Sequence, residues 1–592
     1  MTTRFALIVF IFILAACNNA PVGEAELVLT NGFVYSLSWG DPAGDGMPAI
    51  DAPFEDGIWY PDGEAIYISG DRIMYVGTNE DALAQARENV QVIDLHGATV
   101  IPGAIESHGH VHELGEHHEQ LDLLDINDRS EIIDMVVERA ASVPAGEWII
   151  GWGWDEGAWA NDLPNWDALN ERVPDHPVVL KGRRGFGAWA NKRAILAAGF
   201  ANDSDNPDGG ELVRDSNGDL TGVLLNNAVD ALYDAIPEQT LDQRKRILLF
   251  GLDEMAASGY VAAHHAGVRS DYMPAYDALA GSGELPIRTH LMLAVVADNR
   301  DLTDIYLASG PTTDLSAFLQ VRGIKAYYDG SLGSRGAQLL ADYADMPGSR
   351  GVSGSEYGFD TQVVEDLIAA GFQAGVHAIG DAGNRAVLDF YEDLYSRHPE
   401  ARALNHRIEH AQVVHPDDFK RFAELNVAAS MEPGHAVEDS PWAEDRLGAE
   451  RVKGAYAWRT MRENGITVIF NSDYSGTDHS LFYGLFAAMT RKSAGGQPPG
   501  GWYPEQAMTP EEALRAYTVW PASVSGILEQ TGTIEAGKWA DLTILSIDPL
   551  NIDFSGDIGG GVVGGGIGIS PSELLEGEIV MTIVAGKIVY QR

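Results

Sequence analysis

The chain has almost no cysteine. Cys17 is the only one among 592 residues, which excludes an intramolecular disulfide. It also removes any Cys-based zinc site or Cys nucleophile from the body of the protein. Lysine is scarce, with nine residues, and bases as a whole are outnumbered: 39 Lys and Arg stand against 87 Asp and Glu, a formal charge of −48. A surface of this balance repels phosphate backbones and anionic lipid, so broad nucleic-acid binding is excluded. The N-terminal apolar run, Phe5–Ala16, has twelve residues, short of the ~20 that a membrane-spanning helix needs. What the chain does have is an apolar fraction of 45% and an aromatic fraction of 9%, which fit a globular core and exclude wholesale disorder. Its length allows three domains, or one large domain with an appendage.

The start Met1-Thr-Thr-Arg4 followed by a short apolar run reads as a signal peptide. It ends Leu14-Ala-Ala-Cys17, which resembles the bacterial lipobox, whose Cys becomes the lipidated first residue. Asn18 follows rather than Asp, so the resemblance implies an outer-membrane anchor in the bacterial cell envelope, on the periplasmic side. Residues 1–17 are then leader and lipobox, and 18–25 a tether. The alternatives are a signal peptide with a chance Cys, or a buried N-terminal segment.

Residues 26–102 are mostly β in texture. Glu26–Ser36 reads strand, Asn-Gly turn, strand, and Ala65–Gly77 repeats that pattern around a Gly-Asp turn. Residues 39–63, rich in Gly, Pro and Asp, read as a loop. From 103 to 530 short apolar runs alternate with helical spacing. The runs are Pro177–Leu180, Tyr260–His264, Ile287–Leu293, Val321–Tyr328, Gln373–His377, Arg407–His410, Val427–Met431 and Thr467–Asn471. Helical patterns between them include Val363–Ala370, Asn384–Ser396 and Pro416–Leu425. Such alternation predicts an α/β fold with a parallel sheet, a (β/α)8 TIM barrel with insertions. Residues 531–592 return to β texture. Each β end is too small to bury a core alone, so the two together predict one composite β-sandwich domain beside the barrel. The glycine-rich stretch 555–569 lacks a P-loop Lys-Ser/Thr and predicts a mobile loop.

The densest chemical signal is Val100-Ile-Pro-Gly-Ala-Ile-Glu-Ser-His108-Gly-His110-Val-His112. Histidines at i and i+2 of a strand share one face, so His108 and His110 can grip one ion. His112 either extends the row or lines the cleft. Further candidates lie in or at the ends of apolar runs: Lys325, His377, His410 and Asp473. A lysine inside an apolar strand is costly unless neutralised or used. In a barrel, strand C-termini converge on one mouth. His377 and His410 are 33 residues apart, about one strand-plus-helix unit. His435, His264 and Arg335 are pocket candidates, each weighed equally against a supporting structural role. His117 and His118, in a polar helical stretch, are expected to face solvent.

These runs, with Gly151-Trp-Gly-Trp-Asp155, Leu163-Pro-Asn-Trp-Asp167, Pro174–Val179, Gly222-Val-Leu224, Asp329–Arg335, Gly454–Trp458 and Ala540–Leu545, resemble the amidohydrolase superfamily, specifically its YtcJ-like amidohydrolase-3 family. That family includes an N-substituted formamide deformylase. The resemblance implies that His108 and His110 bind a first metal and that His377 and His410 bind a second. It implies a CO2-derived carbamate on Lys325 bridging the two, with Asp473 as ligand, general base and proton shuttle. One or two Zn2+ ions are expected, with Mn2+, Fe2+ or Ni2+ as alternatives. His435 would meet the developing oxyanion or the substrate, and His264 and Arg335 would contact substrate. The implied activity is hydrolysis of non-peptide C–N bonds in small amide or N-acyl compounds. The alternatives are lactone or ester cleavage, ring deamination, or an inactive surface-binding lipoprotein. The lipid anchor makes the membrane a partner, and a homo-oligomer stays open. Four positions depart from the family pattern: Glu106, Phe186, His265 and Asn471.

Overall fold

The computed structural model describes residues 26–123, 126, 128–154, 163–182, 187–207, 210–555 and 568–592. The leader with Cys17, Asp155, Phe186 and most of the glycine-rich stretch lie outside the described residues.

Eight parallel strands form the central sheet: β1 (Ala104–Gly109), β2 (Tyr260–Val268), β3 (Arg288–Ala294), β4 (Leu319–Tyr327), β5 (Gln373–Ala378), β6 (Arg407–His410), β7 (Ala428–Met431) and β8 (Val468–Phe470). Every residue of β1 and β3 is buried. This is why the strands read as near-continuous apolar runs rather than alternating ones: helices cover the outer face and side chains fill the inner one. The sheet curls nearly shut. β8 and β1 meet through single bonds instead of a ladder: the Asp473 amide donates to the His108 carbonyl at 3.0 Å, and Ser107 Oγ to the Phe470 carbonyl at 2.8 Å. The expected barrel is therefore present. The predicted helical patterns correspond to helices Thr361–Ala369, Asp381–Arg397 and Phe419–Leu425, the last starting three residues later than the pattern.

One predicted run belongs elsewhere. Pro177–Leu180 corresponds to strand Val178–Gly182, which lies in a separate six-stranded sheet inserted between β1 and β2. Its neighbours Ile149–Trp154 and Gly187–Ala190 pair with it parallel and antiparallel. That sheet buries its own clusters, including Trp154, Leu180, Trp189 and Leu224. A short apolar run looks the same in either sheet, so local pattern could not separate them.

The helix Val111–Glu119 leaves β1 directly and packs on helix Leu241–Ala257, which leads into β2. The approach is close enough that a Cβ on Gly115 would collide with the Ile247 carbonyl, and one on Gly251 with that of Val111. This contact fixes the direction in which the chain leaves His110.

Both ends of the chain build the β layer. A four-stranded sheet contains Glu26–Thr30, Ala65–Ser69, Arg72–Gly77 and Gln91–Asp94. A five-stranded sheet joins Phe33–Val34 and Thr99–Pro102 to Leu542–Leu545, Ile579–Val584 and Lys587–Gln591. Leu29, Ile66, Val100, Ile544 and Ile583 are buried in one cluster between them. The Asn31-Gly32 turn does not fold its two strands onto each other. With Asn31 at φ 56° it carries the chain from one sheet to the other. Within Thr531–Leu545, part of the segment of β texture, the strand is Leu542–Leu545.

Arg288 on β3 joins this layer to the barrel. Its Nε meets Asp541 Oδ2 at 2.8 Å, with the two side chains 6% and 0% exposed, and its guanidinium lies 3.8 Å over the Trp539 ring. Asp541 also accepts the Ala585 amide at 2.8 Å. A buried pair that loses one partner leaves a charge without solvent or counterion. Asp541→Ala is therefore expected to destabilise the protein by about 3–5 kcal/mol, read as a lower urea midpoint.

Candidate metal centre and active site

The predicted residues meet at the C-terminal ends of the barrel strands. His108 is near the end of β1 and His110 just beyond it. His377 is next to last on β5, His410 ends β6, and Asp473 follows β8 by three residues. His410 and Asp473 hold left-handed backbone conformations, φ 72° and 48°. Such strain in non-glycine residues persists where the surrounding structure holds it and gathers at functional sites.

His108 is fully buried, and its two nitrogens are divided between two tasks. Nδ1 lies 2.5 Å from Glu409 Oε2, while Nε2 lies 3.0 Å from Lys325 Nζ and 3.4 Å from Asp473 Oδ1. His110 Nε2 approaches the same Asp473 oxygen at 3.2 Å. The His377 and His410 rings meet edge to face, 4.5 Å between centroids. His410 Nδ1 lies 3.1 Å from Glu432 Oε2, and His435 Nδ1 is 3.3 Å from the same oxygen. A cavity of about 370 Å3 opens over this cluster and is lined by His110, Lys325, His377, His410, His435 and Asp473, among others.

Burial pushes the Lys325 ammonium below its usual range, against the pull of Glu409 and Asp473. Burial and the neighbouring Lys325 lower His108 to about 4, leaving its ring neutral. Burial would raise Asp473, yet His108, His110 and His410 hold it well below the usual carboxylate range. Burial would also raise Glu409, but Arg407 and His108 hold it ionised. Burial alone would lower His435; its bond to Glu432 and the charge of Asp473 instead raise it to about 9.

These residues fit a divalent cation. His108, His410 and Asp473 each offer a ligand atom within 4.8 Å of the others. His377 Nε2 is buried without a hydrogen-bond partner. Glu409 and Glu432 bind Nδ1 of His108 and His410, which leaves each Nε2 for an ion; a carboxylate behind a ligating histidine is the usual way a ring is oriented on a metal. Neutral imidazoles with an ionised carboxylate suit Zn2+ and its neighbours.

Two pocket candidates lie elsewhere. His264 is in mid-strand, because β2 runs on to Val268 instead of stopping there. It is buried inside the barrel, 3.3 Å from Arg407 Nη1 and stacked near His290. Arg335 forms a two-pronged pair with Asp345, at 2.7 and 3.1 Å, on the loop after β4 and away from the cavity. His112 also turns away: the strand ends at Gly109, the helix begins at Val111, and the ring stacks on His265. His117 and His118 are exposed, as expected. Sequence reading gave no role to Arg407, Glu409 and Glu432. The signal was present as acids and a base inside apolar runs, where burial demands a partner. Of the departures, Glu106 is buried and accepts the Ser472 amide and hydroxyl, at 3.1 and 2.9 Å, which braces the turn that carries Asp473.

Comparison with known proteins agrees with this geometry. The amidohydrolase family model matches residues 91–590. YtcJ of Bacillus subtilis, which carries an amidohydrolase name, is 30% identical over 536 residues, covering 89% of this chain and 96% of that protein. The N-substituted formamide deformylase of Arthrobacter pascens is 25% identical over 551 residues, covering 89% and 95%. An uncharacterized metal-dependent hydrolase from Pyrococcus furiosus superposes with a TM-score of 0.69 at 26% identity, covering 89% of this chain and all of that one. Fold and site together define a hydrolase built on a (β/α)8 barrel. The chain belongs to the amidohydrolase family.

Glu409→Gln keeps the shape of the side chain but weakens its hold on His108. The expected outcome is an affinity for Zn2+ lower by about 10–100-fold, read by competition with a chelator.

Proposed function

We propose that the protein hydrolyses a non-peptide C–N bond in a small amide or N-acyl compound. The observation that carries this reading is the cluster of His110, His377, His410, Lys325 and Asp473 on one cavity, with buried His108 against Lys325 and Asp473, in an amidohydrolase barrel. His108, His110 and Asp473 would hold one ion, and His377 and His410 a second. Burial lowers Lys325 toward the amine form, the form that adds CO2, and the resulting carbamate would supply oxygen ligands to the metal centre. A divalent ion there, with Zn2+ the best match, would supply Lewis acidity, making water a nucleophile near neutral pH and polarising the substrate carbonyl.

The chain's own residues then move the protons. Asp473 is ionised and stands at the centre of the cluster, placed to take a proton from the attacking water and deliver it to the leaving nitrogen. His435 lies on the cavity wall, its Nε2 4.0 Å from Asp473 Oδ2. Held as a cation by Glu432, it faces the side where negative charge develops and would stabilise it. The name of the Arthrobacter relative is consistent with C–N chemistry. The anchor read at Cys17 would place this cavity outside the cytoplasm.

The direct test is metal analysis of the mature protein with a panel of amides, after reconstitution with zinc and bicarbonate. Less than about one metal per chain would sink the proposed centre. Asp473→Asn is expected to lose about 10²–10⁴ of kcat. His435 is raised, so its charged form is present below about 9 and is lost as pH climbs through that value. Activity should fall along that limb, and Glu432→Gln should move the limb to lower pH.

A further inference from the structure

Away from the histidines the cavity wall has a different chemistry. Glu438 and Asp439 close the helix Pro433–Asp439, one turn beyond His435, and both line the same space, as does Trp442. Glu438 is exposed at the mouth and Asp439 is half-buried. Glu438 accepts the Tyr483 hydroxyl at 3.0 Å, and Asp439 accepts the Tyr456 hydroxyl and, at 3.4 Å, Gln412 Nε2. All of these donors are neutral. Among the described residues neither carboxylate is paired with Lys or Arg. Burial raises both carboxyls; the nearby positive charge, His435, opposes that only in part, because Glu432 holds its ring.

No arginine lines this cavity among the described residues, and its two basic groups are engaged: Lys325 with His108 and His435 with Glu432. At this end of the cavity, beyond His435, a substrate carboxylate or phosphate would meet two acids. An ammonium or amidinium group would meet two acceptors in a partly desolvated place, beside an indole. The wall does not resemble a further metal site. Among the described residues, the groups of three His and carboxylate side chains close enough to share an ion are His108–His410–Asp473 and His410–Glu432–His435, and neither includes Glu438 or Asp439.

We propose that this end of the cavity is a subsite for an organic cation, so that the substrate is an amide carrying a protonated amine, held by Glu438 and Asp439 beside Trp442. The proposal rests on the hydrolase reading above and adds the class of group that the non-reacting end of the substrate carries.

Two measurements on the full mature chain test it. The first compares kcat/KM, with metal restored, for N-(ω-aminoalkyl), N-alkyl and N-(ω-carboxyalkyl) acetamides of matched length. The aminoalkyl compound should exceed the alkyl one by about tenfold or more, the carboxyalkyl compound should be poorest, and the preference should shrink in high salt. In Glu438→Gln/Asp439→Asn the ratio of the first two should collapse toward one. Equal rates for the amine and the alkyl compound, or a ratio unmoved in the variant, would overturn the subsite. The second measures binding of butylammonium and of butanol to the metal-free protein by calorimetry. Tighter ammonium binding that is lost in the variant supports the subsite, and equal binding refutes it. If none of the three acetamides is cleaved, the hydrolase reading suffers and the calorimetry still decides the subsite. Glu438→Gln alone, at an exposed position, serves where the double variant fails to fold.

Discussion

Glu409 has no exposure, lies inside the barrel and touches two groups that define the site. One oxygen meets Arg407 Nε at 2.5 Å and the other meets His108 Nδ1 at the same distance. A carboxylate in so dry a place must be paired, and the pairing fixes more than its charge. It settles that Nε2 of His108 is the nitrogen turned toward Lys325 and Asp473. Arg407 is tied in turn to His264 and Met292 inside the barrel. The candidate metal centre thus rests on a buried polar column, and the exposed rim above it can vary without disturbing the ligands.

The rest of the architecture holds the mouth in place. Asp329, on the loop after β4, accepts the amides of Ile379 and Gly380, both at 2.9 Å, and so ties that loop to the turn after His377. Glu106 braces the turn bearing Asp473. The β layer contributes through the strand Thr99–Pro102, which pairs with Leu542–Leu545 and leads straight into β1. Chain ends more than 400 residues apart in sequence are therefore needed to support the strand that bears His108. The lone lysine of β4 makes sense in this setting. An ammonium there is costly to bury, and burial pushes it below its usual range.

Much of this was legible before any coordinates. His-x-His on a strand, a lysine in an apolar run and acids or histidines at run ends all carry local signals, and each of those residues reaches the cluster. The failures were also local in origin. His264 looked like the end of a run because the next residue, His265, is polar, yet the strand continues for four residues. Arg335 sits in a motif rich in glycine and serine, and its partner, Asp345, comes from a part of the loop that sequence spacing could not place. Pro177–Leu180 has the texture of a barrel strand and belongs to the inserted sheet.

The sequence by itself determined the strand–helix alternation, the side-chain types at the strand ends, the surplus of acid and the isolation of Cys17. These follow from period, burial cost and composition, which act over a few residues at a time. Only the tertiary structure decided which apolar runs share a sheet and which imidazole nitrogen faces the cavity. It alone also decided that Glu438 and Asp439 stand on that cavity's wall without a Lys or Arg partner among the described residues. Those are relations between segments far apart in the chain, set by how the sheet closes and by which buried charges must find one another.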